Sequence, residues 1–224
     1  AHPAADGIVG FGDIDVVLDT HPACLSSTST LLRRSVMRLT LASSSPRRQT
    51  LLATLVTDFD SASPDIDERL LSGESPEQYV TRLAESKARA CDRQNDLTLG
   101  ADTAVALGHR ILGKPLDRDD AMAMLEALSG RTHEVYTAVA LLREGNVQQV
   151  CTCTSVTFTA LSRATIGEYL ATDEPWDKAG AYGIQGYAGA FVQQIVGSYS
   201  AVVGLPLCET RHLLQRNRVT MRHG

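Results

Sequence analysis

A chain of 224 residues has room for one sizeable domain or two small lobes on a shared core, and a composition 43% hydrophobic and 21% charged is an ordinary globular balance. The formal charge of −5 speaks against a polymeric nucleic-acid partner, which needs a basic stripe, but not against a small phosphorylated ligand held by a local basic patch. No apolar run approaches the length of a membrane span. The five cysteines (Cys24, Cys91, Cys151, Cys153, Cys208) form no C-x-x-C pair, and the scattered histidines form no zinc-type cluster, so reduced thiols in a cytoplasmic protein are expected.

Residues 1–36 mix acids with short apolar stretches and a serine/threonine cluster, unlike a secretory signal, and read as a poorly ordered extension. A domain is expected over residues 37–218, followed by a short tail, 219–224. Leu39 to Ala42 reads as a buried strand running into Ser43-Ser44-Ser45-Pro46-Arg47-Arg48, where a serine before Pro46 opens a helix carrying Leu51, Leu52 and Leu55. Phe59 to Arg69 reads as a loop. Ser75-Pro76 starts a second helix whose inward stripe is Val80, Leu83, Ala84 and Ala88, and Lys87 falls on that stripe. Leu97 to Leu107 alternates as a strand, with Gly100, Asp102, Ala104 and Ala106 on one face and Thr103 on the other. Gly108-His109 turns the chain into a short return strand ending at Gly113-Lys114-Pro115. Asp117 caps a third helix. Glu134 to Leu142 and Val147 to Phe158 read as a hairpin around Gly145-Asn146. Ser162 opens a helix, Thr172 to Gly189 is a glycine-rich loop, and Phe191 to Val196 and Tyr199 to Val203 read as strands around Gly197-Ser198. Pro206 begins the last helix. The mixture of βα units and hairpins predicts an α/β or α+β domain on a mixed sheet.

Four features point to a phosphorylated ligand. Ser43 to Arg48 puts small polar groups and two arginines at a helix start, a place that favours anions, although a capped helix with two solvated arginines fits the same residues. Asp102 stands in an apolar strand, where an unpaired carboxylate is costly, while Asp67 and Glu68 also read as an exposed acidic loop. Carboxylates of this kind hold a divalent ion or accept a proton in triphosphate hydrolysis. Lys87 on an inward stripe suits a buried or cleft anion, and Lys114 reads equally as a surface lysine with its stem along the core. In the loop Asp177 to Gly186, glycines permit close approach and Gln185 offers both a donor and an acceptor to a base edge. The glycines at positions 180, 183, 186 and 189 recur every third residue, far too few for collagen. No Walker-type loop, G-x-G-x-x-G opening or G-x-S-x-G elbow is present.

Short segments in order then resemble the Maf family: Leu41-Ala42-Ser43-Ser44-Ser45-Pro46-Arg47-Arg48, Asp65-Ile66-Asp67-Glu68, Glu85-Ser86-Lys87-Ala88, Gly100-Ala101-Asp102-Thr103 and Gly113-Lys114-Pro115. They continue with Leu128-Ser129-Gly130, Asp177-Lys178-Ala179-Gly180, Gly183-Ile184-Gln185-Gly186 and Val203-Gly204-Leu205-Pro206. The resemblance runs from about Met37 to Leu214. It implies an α/β fold of the Maf/ITPase-like kind: an elongated mixed β-sheet with flanking helices and two lobes around a deep cleft, usually dimeric. It implies a hydrolase that cleaves a nucleoside triphosphate to the monophosphate and pyrophosphate with a divalent cation, Mg²⁺ or Mn²⁺. By the same resemblance Asp102 is the proton acceptor, and Arg47, Thr103 and Gln185 set base specificity. Ser43, Arg48, Lys87 and Lys114 are expected to hold phosphate, and Glu68 with Asp102 the metal. An alternative is that Asp102 mainly holds metal. Arg, Thr and Gln at the three specificity positions resemble the dTTP/UTP subgroup, which leaves normal and modified pyrimidine nucleotides both open. The 7-methyl-GTP subgroup carries tryptophan at the first place and glutamine after the aspartate, and this chain has neither. A nucleotide-sensing regulator linked to cell division is the alternative from another class. A nucleic-acid-binding module is disfavoured by the acidic balance and by an aromatic content of 5%.

Overall fold

Small and branched residues alternate from Leu97 to Leu107, and the strand they form is covered on both faces along most of its length. The computed structural model describes residues 38–93 and 96–222; the expectation for residues 1–36 falls outside them. In chain order the elements are β1 (Leu39–Ala42), α1 (Pro46–Ala53), β2 (Asp60–Ala62), α2 (Pro76–Ala90), β3 (Leu97–Leu107), β4 (Arg110–Leu112) and α3 (Arg118–Leu128). There follow β5 (Thr132–Arg143), β6 (Asn146–Phe158), α4 (Arg163–Tyr169), β7 (Val192–Val196), α5 (Tyr199–Val203) and α6 (Leu207–Arg216). The seven strands make one mixed sheet in the order β2-β1-β3-β5-β6-β7, with β4 also paired to β3.

One detail of register creates the cleft. On one edge of β3, β1 runs parallel and pairs from Leu97 to Gly100, while β4 runs antiparallel and pairs from Val105 to Leu107. Residues 101–104 lie between these pairings and have no strand partner on that edge. The opposite edge of β3 is continuously paired to β5 from Thr98 to Ala106. The sheet therefore has a gap with Asp102 and Thr103 at its floor. β1 ends beside the gap and delivers Ser43 and α1. β4 ends across it and delivers Lys114. A parallel strand ending beside a change of strand direction is where α/β sheets take ligands.

The core divides around that gap. Leu97, Leu99 and Ala101 pack with Leu41, Leu52, Leu213 and Leu214 under α1 and α6. Val105 packs with Met124, Leu125 and Leu128 of α3, Ile166 and Tyr169 of α4, and Phe158. On the other face α2 lies on β3 and β5 through Val80, Ala84, Ala88, Ala104, Ala138 and Ala140. The close approach depends on Gly100, because a β-carbon there would stand 2.1 Å from the Ala84 carbonyl oxygen and 2.7 Å from the Ala88 nitrogen. Helix starts follow their local signals. Ser75 and Gln78 form a reciprocal capping box at α2, and Asp117 and Ser162 accept from backbone N–H groups of Asp120 and Thr165.

The structure corrects three local expectations. Tyr199 to Val203 is a short helix and not a strand: Ser198 caps it by accepting from the Ala201 N–H, and Gly204 ends it at φ 132°. Its alternation of apolar residues could serve either period, and the cap decided it. The long hairpin turns at Glu144-Gly145, both at positive φ, one residue earlier than expected, with Arg143 paired to Asn146. Asp60 to Ala62, expected within a loop, adds a parallel edge strand to β1 despite its polar side chains. At the far end, Val219 and Met221 pack on the α1/α6 core, and the Arg222 N–H donates to the Leu55 carbonyl at 2.7 Å.

Candidate active site

The gap in the sheet opens into a cleft of about 850 Å³. The nine residues to which the resemblance gives a role line it: Ser43, Arg47, Arg48, Glu68, Lys87, Asp102, Thr103, Lys114 and Gln185. They arrive from β1, α1, the loop before α2, α2 itself, β3, the segment after β4 and the glycine-rich loop, so the chain brings together groups up to 142 positions apart (43 to 185).

At the floor, Lys87 Nζ lies 2.6 Å from Asp102 Oδ1 and 2.8 Å from Glu68 Oε1. Lys87 and Asp102 are both buried, at 7% and 6% exposure, whereas Glu68 is open to the cleft. Gly100 brings α2 down onto β3, and Lys87 sits between Ala84 and Ala88 one step along the same face, which is why its ammonium reaches Asp102. Burial pushes the Asp102 carboxyl above the ordinary carboxylate range, and the charges of Lys87 and Arg48 offset only part of that rise. Burial also acts to raise Glu68, but the Lys87 hydrogen bond and the charges of Lys87, Lys114 and Arg48 outweigh it and bring Glu68 below its ordinary value. Two carboxylates thus share one floor with opposite tendencies.

Above the floor, Arg48 is held from three sides. Its Nε donates to the Gly204 carbonyl at 2.9 Å, Nη2 to Thr103 Oγ1 at 3.2 Å and Nη1 to Ser43 Oγ at 3.5 Å. Thr103 Oγ1 also lies 3.1 Å from Thr137 Oγ1, whose hydroxyl donates to the Ala201 carbonyl at 2.8 Å. Thr137 has one hydroxyl hydrogen, and a carbonyl can only accept. Thr137 therefore shares its one hydrogen between the Ala201 carbonyl and Thr103 Oγ1, which also accepts from Arg48. None of these partners is charged, so the Arg48 cation is uncompensated by direct contact; its burial lowers its pKa from the usual value. Ser45 precedes α1 with extended backbone, yet its hydroxyl makes no bond to the helix, which leaves the first turn's N–H groups uncapped beside Arg48. Among the described residues, Lys114 likewise has no hydrogen-bonded or ion-pair partner.

On the remaining wall, Arg47 Nη1 meets Asp177 Oδ2 at 3.0 Å, and Asp177 Oδ1 accepts from Lys178 Nζ at 2.6 Å. Gln185 stands in the same wall between Gly183 and Gly186. Sequence reasoning did not single out Glu174 or Tyr79. Tyr79 falls four before Leu83 and eight before Lys87, so helical spacing alone places it on the same stripe; its hydroxyl donates to the Glu68 carbonyl at 3.0 Å and helps fix that loop. Glu174 had no such signal. Asp67 turns away from the cleft to pair with Arg69, which holds its carboxyl down at about 2.

Glu68 and Asp102 converge on a single ammonium, so two hard oxygen donors are within reach of one cation position. Among the described residues there is no group of three or more His, Cys, Asp or Glu side chains that could hold a metal ion. That combination fits an ion such as Mg²⁺, which takes one or two carboxylates and completes its shell with water and substrate phosphates.

The class defined by this fold and site is an α/β protein whose interrupted sheet brings one buried and one open carboxylate into a single cleft with cations that have no carboxylate partner. The sequence model described as "Maf-like protein" matches residues 38–217, and the chain belongs to the Maf family. It is 52% identical over 183 residues to the dTTP/UTP pyrophosphatase of Hahella chejuensis, covering 80% of this chain and 91% of that protein. Against the dTTP/UTP pyrophosphatase of Anaeromyxobacter dehalogenans the identity is 54% over 183 residues, covering 80% and 93%. Against that of Pseudoalteromonas atlantica it is 50% over 184 residues, covering 80% and 96%. No described helix is long and apolar enough to cross a membrane.

Proposed function

We propose that this chain hydrolyses dTTP and UTP, or modified pyrimidine nucleotides of the same shape, to the nucleoside monophosphate and pyrophosphate. The observation that carries the reading is the meeting of buried Asp102 with Lys87, Glu68, Arg48 and Lys114 in one cleft, in a chain about half identical to proteins named for this activity.

Water attacks the α phosphorus in line with the leaving pyrophosphate, and Asp102 takes the water's proton. A carboxylate raised by burial is a better base than an exposed one, since its conjugate acid lies nearer working pH. Lys87 keeps Asp102 oriented and ties it to Glu68. Arg48, braced by Thr103 and Gly204, presents its remaining N–H groups to phosphate oxygens, with Ser43, the uncapped start of α1 and Lys114 beside it. Because Thr103 Oγ1 accepts from the Arg48 guanidinium, we assign its part in specificity to bracing Arg48. Arg47 and Gln185, across the cleft, read the base. Glu68 and Asp102, with the substrate phosphates, would hold Mg²⁺ or Mn²⁺, which when bound would neutralise the charge that develops in the transition state.

The catalytic domain so read is residues 37–218, and the enzyme acts as a cytoplasmic homodimer. The thiols of Cys91, Cys151, Cys153 and Cys208 are unpaired, as the cytoplasm requires. A panel of dTTP, UTP, CTP and 7-methyl-GTP assayed for pyrophosphate tests the reading. Preference for dTTP and UTP is expected; preference for 7-methyl-GTP would overturn the subgroup, and no pyrophosphate from any of them would return the chain to a nucleotide-sensing role.

A further inference from the structure

Two carboxylates in the wall facing α1 take no part in the chemistry above. Glu174 precedes the short 3₁₀ turn Pro175–Asp177 and Asp177 ends it; Asp177 pairs with Arg47, and Glu174 binds the backbone just after Gln185. Glu174 turns inward. Its Oε2 accepts from the Tyr187 N–H at 2.7 Å, and its Oε1 accepts from the Ala188 N–H at 3.3 Å and the Tyr169 hydroxyl at 3.1 Å. Those two backbone donors follow Gln185-Gly186 directly. The loop is wound so tightly on this carboxylate that a β-carbon at Gly186 would stand 2.1 Å from Glu174 Oε2. At Gly183 it would stand 2.7 Å from Lys178 Cε.

This accounts for a sequence feature the chemistry leaves unexplained. The Gly186 N–H bonds to the Gly183 carbonyl at 3.1 Å and the Gly189 N–H to the Gly186 carbonyl at 3.0 Å. The glycines at 183, 186 and 189 thus follow successive three-residue turns, the repeat of 3₁₀ geometry, wrapped around a half-buried anchor. Asp177 works from the other side. One of its oxygens holds Arg47 across the cleft at 3.0 Å, and the other is held by Lys178 at 2.6 Å. Lys178 Nζ also donates to the Glu174 backbone carbonyl, so the Asp177 carboxylate and the Glu174 main chain are tied into one fixture.

We propose that Glu174 and Asp177 are positioning residues for base selection: Glu174 sets the loop that carries Gln185, and Asp177 sets the guanidinium of Arg47. The class of ligand edge this fixture favours is a pyrimidine with two carbonyls flanking an N–H. A pinned guanidinium offers only donors, so it accepts a ring carbonyl and rejects the exocyclic amino group of cytosine. Selectivity of this kind survives only while neither group drifts, because Gln185 could otherwise rotate its amide to suit either edge. The inference rests on the reading that Arg47 and Gln185 contact the base.

The test compares kcat/KM for UTP and CTP, by pyrophosphate release, in the wild type and in Glu174→Gln, Asp177→Asn, Gln185→Ala and Arg47→Ala. Glu174→Gln puts an amide donor against backbone or phenol donors. The expected result is a UTP-over-CTP preference narrowed about ten-fold in both carboxylate variants, mostly through the KM for UTP. Asp177 is largely exposed, so its variant keeps the test open if Glu174→Gln does not fold. If Gln185→Ala and Arg47→Ala narrow the preference while the carboxylate variants keep the wild-type ratio, this inference fails alone. An equal loss on UTP and CTP in the carboxylate variants means a merely structural role and also overturns it. If Gln185→Ala and Arg47→Ala themselves leave the ratio unchanged, the base-contact reading fails first.

Discussion

Lys87 and Asp102 face each other at 2.6 Å across the seam between α2 and β3, and both are almost wholly removed from solvent. A buried ion pair is weak evidence of net stabilisation, because desolvating both charges offsets much of their attraction. Removing one partner is a different matter. Lys87→Met leaves Asp102 buried without its strongest compensating charge and should cost about 3 kcal/mol or more in denaturant unfolding, with loss of turnover. Lys87→Met combined with Asp102→Leu should recover most of that stability and none of the activity. Equal stability of the single and double variants would show that the pair is not coupled.

Gly100 is the geometric condition for that pair. A methyl group there meets helix backbone rather than a flexible side-chain end, so α2 must lift from the sheet. Gly100→Ala should destabilise by about 1–3 kcal/mol and lower turnover as Lys87 retreats from Asp102. Wild-type melting and wild-type activity together would mean that the helix has slack that the packing does not suggest.

His133 supplies a pH dependence away from the cleft. It is fully buried against Phe158 and Tyr182, its Nε2 lies 2.8 Å from the Tyr182 hydroxyl, and burial pushes it from the usual 6.5 down to about 4. Between those values the unfolded chain binds a proton that the folded chain refuses. Stability is therefore full above about pH 6.5 and is lost as pH falls towards about 4, by up to roughly 3 kcal/mol. His133→Gln should flatten that part of the stability–pH curve. An unchanged slope in the variant would assign the acid sensitivity to other groups.

Much of this molecule is legible in the sequence, for physical reasons that differ by element. Ser75-Pro76 and Asp117 announce helices because capping is local chemistry, and the inward place of Lys87 follows from helical spacing alone. Asp102 stands out because a carboxylate in an apolar strand needs a partner. Tyr199 to Val203 misleads because its apolar spacing suits both periods, and only the bond from the Ala201 N–H to Ser198 separates them. The gap between the β1 and β4 pairings of β3 is a matter of register, which no local pattern encodes. Glu174 is hidden for the same reason: its partners at Tyr187 and Ala188 are thirteen and fourteen positions away and offer backbone rather than side-chain groups.

The central claim is that hydrolysis runs through Asp102. The most direct measurement is pyrophosphate release from dTTP and UTP by Asp102→Asn beside the wild type, with melting and nucleotide binding followed on the same samples. Asparagine keeps the shape of the side chain, and Lys87 keeps Glu68, so the variant should fold and bind nucleotide while turnover falls by at least about a thousand-fold. A folded Asp102→Asn enzyme with near wild-type pyrophosphate release would contradict the account, since it would remove Asp102 both as proton acceptor and as metal ligand.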